Sequence, residues 1–134
     1  MKTNYFKQAL ATLALLLLAT AAHAYDVEIN GIYYNLVPKA KQATVTYTGE
    51  DPWNRSSYSG AIQIPATVDK DGVTYTVTAI GDNAFYGAII TSIDIPNTVT
   101  SIGDYAFNGC SSLASVTIPN SVASIGSDAF VHCI

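Results

Sequence analysis

"SIGDYAFNGC", residues 101–110, has a near copy on each side: "AIGDNAFYGA", 79–88, before it and "SIGSDAFVHC", 124–133, after it. A shift of 23 residues carries "IPNTVTSIG", 95–103, onto "IPNSVASIG", 118–126. The same shift carries Phe107 onto Phe130 and Cys110 onto Cys133. Between the first and second copies the shift is 22, taking Ile80 to Ile102 and Phe85 to Phe107. A unit this short cannot bury its own apolar edge. Stacked neighbours must cover it, so the repetition points to architecture before chemistry.

Each position in the phrase has an expected role. "SIDIP", 92–96, and "SVTIP", 115–119, alternate polar and apolar residues, as a half-buried strand does. Val116 and Ile118 face inward, Ser115 and Thr117 outward, and Pro96 and Pro119 end the strands. "NSVASIG" then carries the chain away with Val122 and Ile125 inward. Gly81, Gly103 and Gly126 permit a turn that a Cβ would resist. Asp82, Asp104 and Ser127 follow as helix N-caps, and "DNAF", "DYAF" and "SDAF" each form a short helical turn with Ala and Phe inward. Stacking should set Ile95 over Ile118 and Phe85 over Phe107 over Phe130. The fold expected is mostly β with short helical turns: a right-handed, curved coil of about three rungs.

"IPNTVTSIGDYAFNGCSSLASVTIP" and "IPNSVASIGSDAF" resemble the BspA-type leucine-rich repeat of bacterial and protist surface proteins. The resemblance covers roughly residues 61–134, with Ile-Pro, Ser-Ile-Gly, Ala-Phe and Gly-Cys in the family's order. It implies a leucine-rich-repeat solenoid. It also implies non-catalytic adhesion to a host or neighbouring-cell protein, of the extracellular-matrix or plasma type such as fibronectin or fibrinogen. Ligand residues are not fixed by the repeat consensus.

Three segments are expected. Residues 1–24 read as a secretory signal peptide: Lys2 and Lys7, the apolar run 9–22, and a small-residue cleavage site "AHA" at 22–24. No stable membrane span is expected after cleavage. Residues 25–60 form an N-terminal β cap and loop. "DVEINGIYYNLV", 26–37, holds the hairpin signal Asn30-Gly31, with one of Tyr33 and Tyr34 packed inward, and "QATVTYTG", 42–49, alternates again. Residues 61–134 are the repeats, the last one incomplete. The first rung, "AIQIPATV", 61–68, carries an insertion with a second turn signal, Asp71-Gly72, read as a protruding two-stranded ribbon. "AFVHCI" stops before the next strand would begin. Val131 and Ile134 are therefore expected to be exposed, through fragmentation of a longer repeat protein or through end-to-end self-association.

Charge excludes some partners. Without residues 1–24 the chain has four basic and ten acidic residues, a formal −6, and no Lys or Arg follows Ile80. A nucleic-acid footprint needs clustered basic residues. Catalytic constellations are also missing from the pattern. His132 is the one histidine after residue 24, and no paired carboxylates, phosphate loop, nucleophile elbow or metal-ligand spacing occurs. No enzyme activity, cofactor or metal is expected. Cys110 and Cys133 read either as a column of small buried residues or as a disulfide between rungs.

The ligand-binding candidates are the outward columns Gln63, Asp94, Thr117 and Ala61, Ser92, Ser115, together with Trp53 in the loop 49–60. Trp53 either offers an exposed contact for sugar or protein or folds back over the cap's core. The competing role for the whole chain is a structural spacer or a remnant of a larger repeat protein.

Overall fold

In the computed structural model, which describes residues 25–133, the repeats and the cap share one sheet. The segment read as a signal peptide, 1–24, and Ile134 lie outside the described residues. The first hairpin pairs β1 (Val27–Ile29) with β2 (Ile32–Val37). Its turn residues have φ of 51° at Asn30 and 82° at Gly31, the left-handed pair that a two-residue hairpin needs. β3 (Gln42–Val45) pairs antiparallel with β2 and then parallel with β6 (Val73–Ile80). β8 (Ser101–Ile102) and β9 (Ser124–Ile125) extend the parallel ladder, giving the order β1-β2-β3-β6-β8-β9. A second sheet joins β4 (Ser59–Gln63) to β7 (Ile89–Asp94), also in parallel.

Val45, Ile80, Ile102 and Ile125 are successive register partners in the first sheet. The N–H of Gly81 donates to the Val45 carbonyl at 2.8 Å, as Gly103 does to Ile80 and Gly126 to Ile102. The cap strand β3 thus stands where a preceding rung would stand. Tyr58 does the same for the aromatic core. Phe85, Phe107 and Phe130 stack with centroids 5.1 Å apart and planes 4° and 7° from parallel, and Tyr58 lies 4.7 Å from Phe85. The Tyr58 hydroxyl donates to the Thr46 carbonyl and accepts the Tyr33 N–H, both at 2.9 Å, which anchors this ring to the cap. Tyr34 is fully buried, while Tyr33 packs edge-on between Tyr25 and Tyr58.

Several expectations from the repeat phrase need correction. "DNAF", "DYAF" and "SDAF" are overlapping turns, and no helix is found among the described residues. Alternate N–H groups explain this. Asn83, Phe85 and Gly87 donate to Asp104, Ala106 and Asn108 on the next rung, at 2.7–2.9 Å. Ala84, Tyr86 and Ala88 donate three residues back, to Gly81, Asn83 and Phe85. A helix would need all of these donors for itself. The left-handed φ values at Asn83, Tyr105 and Asp128 (54° to 59°) break helical geometry at the same slot in each rung.

Asp82 and Asp104 are not N-caps either. The Asp82 Oδ1 accepts the Asp104 N–H and the Asp104 Oδ1 accepts the Ser127 N–H, each at 2.8 Å, so each carboxylate clips one rung to the next. This also revises the role of the glycines. Gly103 and Gly126 do not have left-handed φ. A Cβ on Gly103 would instead run into the Asp82 carboxylate and come within 2.6 Å of the Asp82 nitrogen, and one on Gly126 would strike Asp104 in the same way.

The expected strand at 115–119 is not formed, although its sidedness is kept: Val116 and Ile118 pack on the core and Ser115 and Thr117 are exposed. Among the described residues β7 pairs with β4 alone. Ile125, expected inward, is 49% exposed, while Val122 is half-buried. The insertion is a hairpin, β5 (Thr67–Lys70) with β6, turned at Asp71-Gly72 as the sequence indicates. It does not protrude as a free ribbon, because Val68, Tyr75 and Val77 are buried in the common core.

Cys110 and Cys133 are free thiols in one column. Cys110 Sγ donates to the Phe85 carbonyl at 3.0 Å and Cys133 Sγ to the Phe107 carbonyl at 2.9 Å, each reaching one rung back. Burial pushes Cys110 up to about 12 and raises Cys133 as well.

Three outcomes are expected. Phe107→Ala removes a fully buried ring between two others and costs about 3–5 kcal/mol in urea unfolding. The half-buried Phe130 loses clearly less on the same change. Gly103→Ala costs about 1–3 kcal/mol, the usual range for forcing atoms into a filled site. Alkaline pH destabilises the fold. A thiol held protonated when folded but free to ionise when unfolded favours the unfolded chain once pH passes about 9, and the loss grows until about pH 12. Urea midpoints at pH 7, 9 and 10.5 should fall in that order, and less steeply in Cys110→Ala.

Candidate functional site

The strand face β4–β7 supports the expected columns through its register. Ala61 is the Cα partner of Ser92, and Gln63 of Asp94. A register shift at Gly60/Ala61 sets this alignment. All four side chains are exposed, while Ile90, Ile93 and Ile64 beneath them are buried. Alternation puts the small polar residues on the solvent side and the isoleucines on the core side. Ser115 and Thr117 are exposed on the following segment but are not joined to β7 by ladder bonds. The structure therefore brings Gln63, Asp94 and Ser92 together in one paired patch, with Ser115 and Thr117 beyond it.

Trp53 belongs to another face. It is 58% exposed, and its ring packs edge-on against Tyr86 at 5.8 Å and Tyr105 at 5.3 Å. It neither folds over the cap's core nor joins the strand columns. The loop that carries it is fixed to the turn wall, where the Ser56 N–H donates to the Tyr86 carbonyl at 2.7 Å. Reading the sequence alone misses Tyr86 and Tyr105. Their signal lies in the repeat: Tyr105 fills the slot of Asn83 and Asp128, and Tyr86 that of Asn108 and Val131. Large aromatics thus stand at two positions whose residue type varies from rung to rung.

No group of three or more His, Cys, Asp or Glu that could hold a metal occurs among the described residues. Cys110 is buried and fully protonated near neutral pH, so it offers no thiolate nucleophile. His132 is exposed at a left-handed turn position. No helix among the described residues is long and apolar enough to cross a membrane.

A family model described as "BspA type Leucine rich repeat region (6 copies)" matches residues 76–134. No curated protein matches the chain. Among solved structures, a leucine-rich-repeat protein from Bacteroides capillosus is 30% identical, with a TM-score of 0.64, over 78% of this chain and 72% of that one. A leucine-rich cell surface protein from Faecalibacterium prausnitzii is 35% identical with a TM-score of 0.62, over 79% of this chain. The match spans only 27% of that longer protein. The T. pallidum leucine-rich-repeat protein is 25% identical with a TM-score of 0.61, over 80% of this chain and 45% of that one. Stacked phenylalanines, the Ile-Gly back wall and these matches agree: the chain belongs to the BspA-type leucine-rich-repeat family.

Proposed function

We propose that the chain is an exported, surface-displayed repeat protein that binds a protein of a host or neighbouring cell and catalyses no reaction. The observation that carries this reading is the paired patch on β4–β7, where Ala61–Ser92 and Gln63–Asp94 stand in register and exposed over a buried isoleucine layer. Repeat folds use such rigid strand faces for protein contact. Export rests on the charged start and apolar run of residues 1–24. Surface display rests on the similar Faecalibacterium protein, which is called a cell surface protein. The excess of acidic residues favours a partner that presents basic groups. Matrix and plasma proteins such as fibronectin and fibrinogen are the first ligands to test. Trp53 with Tyr86 and Tyr105 adds an aromatic contact area on the neighbouring wall.

A second reading, a spacer that holds another domain away from the cell, is favoured by the small share of the Faecalibacterium protein that the match occupies. Saturable binding to immobilised fibronectin or fibrinogen, weakened about tenfold or more by Ser92→Arg, is the outcome expected of a binding face. The absence of saturable binding to such ligands would leave the spacer.

A further inference from the structure

The outer edge of β4 is open. β4 pairs with β7 on one side and, among the described residues, with no strand on the other. The Ile64 N–H donates to the Asp94 carbonyl at 3.0 Å, so Ile62 and Ile64 turn their backbone groups toward β7. Successive residues in a strand turn theirs to opposite sides, which aims those of Ala61 and Gln63 away from the sheet. They have no partner among the described residues. Most solvent-exposed edges are blunted by a charge, a proline or a covering loop. Ser59–Gln63 carries none of the first two.

This edge does not face open solvent. It forms one wall of a groove whose other wall is the β1–β2 hairpin. One cavity of about 650 Å³ lies between Ile29, Ile32 and Tyr34 on the hairpin side and Ile64, Val68 and Asp69 on the other. A second, of about 420 Å³, continues along Ser59, Ala61 and Gln63, and shares Asn30, Ile32 and Gln63 with the first. Five residues of strand span about 17 Å, the reach of an extended peptide of five or six residues.

Tyr34 supplies a second, independent observation. It is fully buried and lines the larger cavity, yet its hydroxyl has no hydrogen-bond partner among the described residues. A buried hydroxyl left without a partner is unfavourable and calls for a reason. The Thr98 and Ser121 hydroxyls and the Asn83 amide are also without partners among the described residues; Thr98 and Ser121 occupy the same slot of successive rungs, and Asn83 lines neither cavity. Tyr34 has no counterpart in the repeat. The charge at the groove has one sign: Asp69 lines it, Asp94 is the register partner of Gln63, and no Lys or Arg lines either cavity.

We propose that this groove binds an extended peptide segment of a partner protein, which adds as a strand to the open edge of β4. The peptide's backbone bonds the outward N–H and C=O groups of Ala61 and Gln63, an apolar side chain enters between Ile32 and Val68, and a basic residue meets Asp69. The buried Tyr34 hydroxyl bonds the segment from the groove floor. This is strand addition at a sheet edge, distinct from contact across the β4–β7 face, and it does not depend on that reading.

The test uses the full chain and an eight-residue acetylated peptide alternating valine and threonine, with lysine at both ends. Expected are saturable binding by fluorescence anisotropy and slowed amide exchange at Ala61 and Gln63. N-methylation of alternate peptide amides should weaken binding about tenfold or more, as removing edge hydrogen bonds does. Gln63→Pro removes one groove-side donor and should weaken binding. Should that variant misfold, Tyr34→Phe serves instead: it keeps or raises thermal stability while weakening the peptide. Ser92→Arg, on the face, should leave peptide affinity unchanged. The proposal is overturned by an absence of saturable binding, or by binding indifferent to N-methylation. It is equally overturned if Ala61 and Gln63 are protected before peptide is added. Protection independent of protein concentration would then assign the edge to the chain's own residues, and protection rising with concentration would assign it to a second copy.

Discussion

The stacking of one phenylalanine on the next is the contact on which the rest of this fold depends. Phe85 and Phe107 are fully buried and lie at the 5.1 Å spacing of neighbouring rungs. That spacing is close to the 4.7–4.9 Å separation of paired strands. The same distance therefore serves the rings, the turn-wall N–H groups that donate to the next rung and the parallel ladder from Val45 to Ile125. A ring displaced from its column would stretch all three. The stack also explains why the first layer needs Tyr58. Something aromatic must cover the outer face of Phe85, and a tyrosine can do so while bonding its hydroxyl to the cap through Thr46 and Tyr33.

Close approach sets a second constraint. Rungs held this near leave no room for a Cβ at Gly103 or Gly126, because the carboxylate of the preceding rung already fills that space. Glycine and aspartate act as a pair: the one makes space and the other fills it with a hydrogen bond to the next backbone N–H. The thiols follow the same logic deeper in the core. Each bonds a carbonyl one rung back, so both thiols are satisfied without a disulfide.

Because the scaffold is built this tightly, its surfaces are left with distinct characters. The β4–β7 face presents small, polar, mostly uncharged residues, the turn wall presents Trp53 with two tyrosines, and the cap leaves an open strand edge above a buried, unpartnered tyrosine. Under the binding role proposed above, a rigid surface of this kind holds its side chains and backbone groups in place before a partner arrives.

Repetition made the stack legible from the sequence alone. Identical residues at a fixed period must meet when the units pile up, which placed Phe85, Phe107 and Phe130 together and set the sidedness of Ser92 and Asp94. Asn30-Gly31 and Asp71-Gly72 marked their turns, because few residue pairs accept left-handed φ. Local pattern could not tell where the donors of "DYAF" would go, since a helix and a rung-to-rung ladder ask for the same residues and differ only in having a neighbour. For the same reason, it misread Asp82 as a cap and Gly103 as a turn former. The place of Trp53 against Tyr86 and Tyr105, the use of β3 and Tyr58 as an opening layer, and the unpaired edge of β4 join residues from different parts of the chain. Those arrangements carry no period and no local signal, and only the three-dimensional packing of cap against coil decided them.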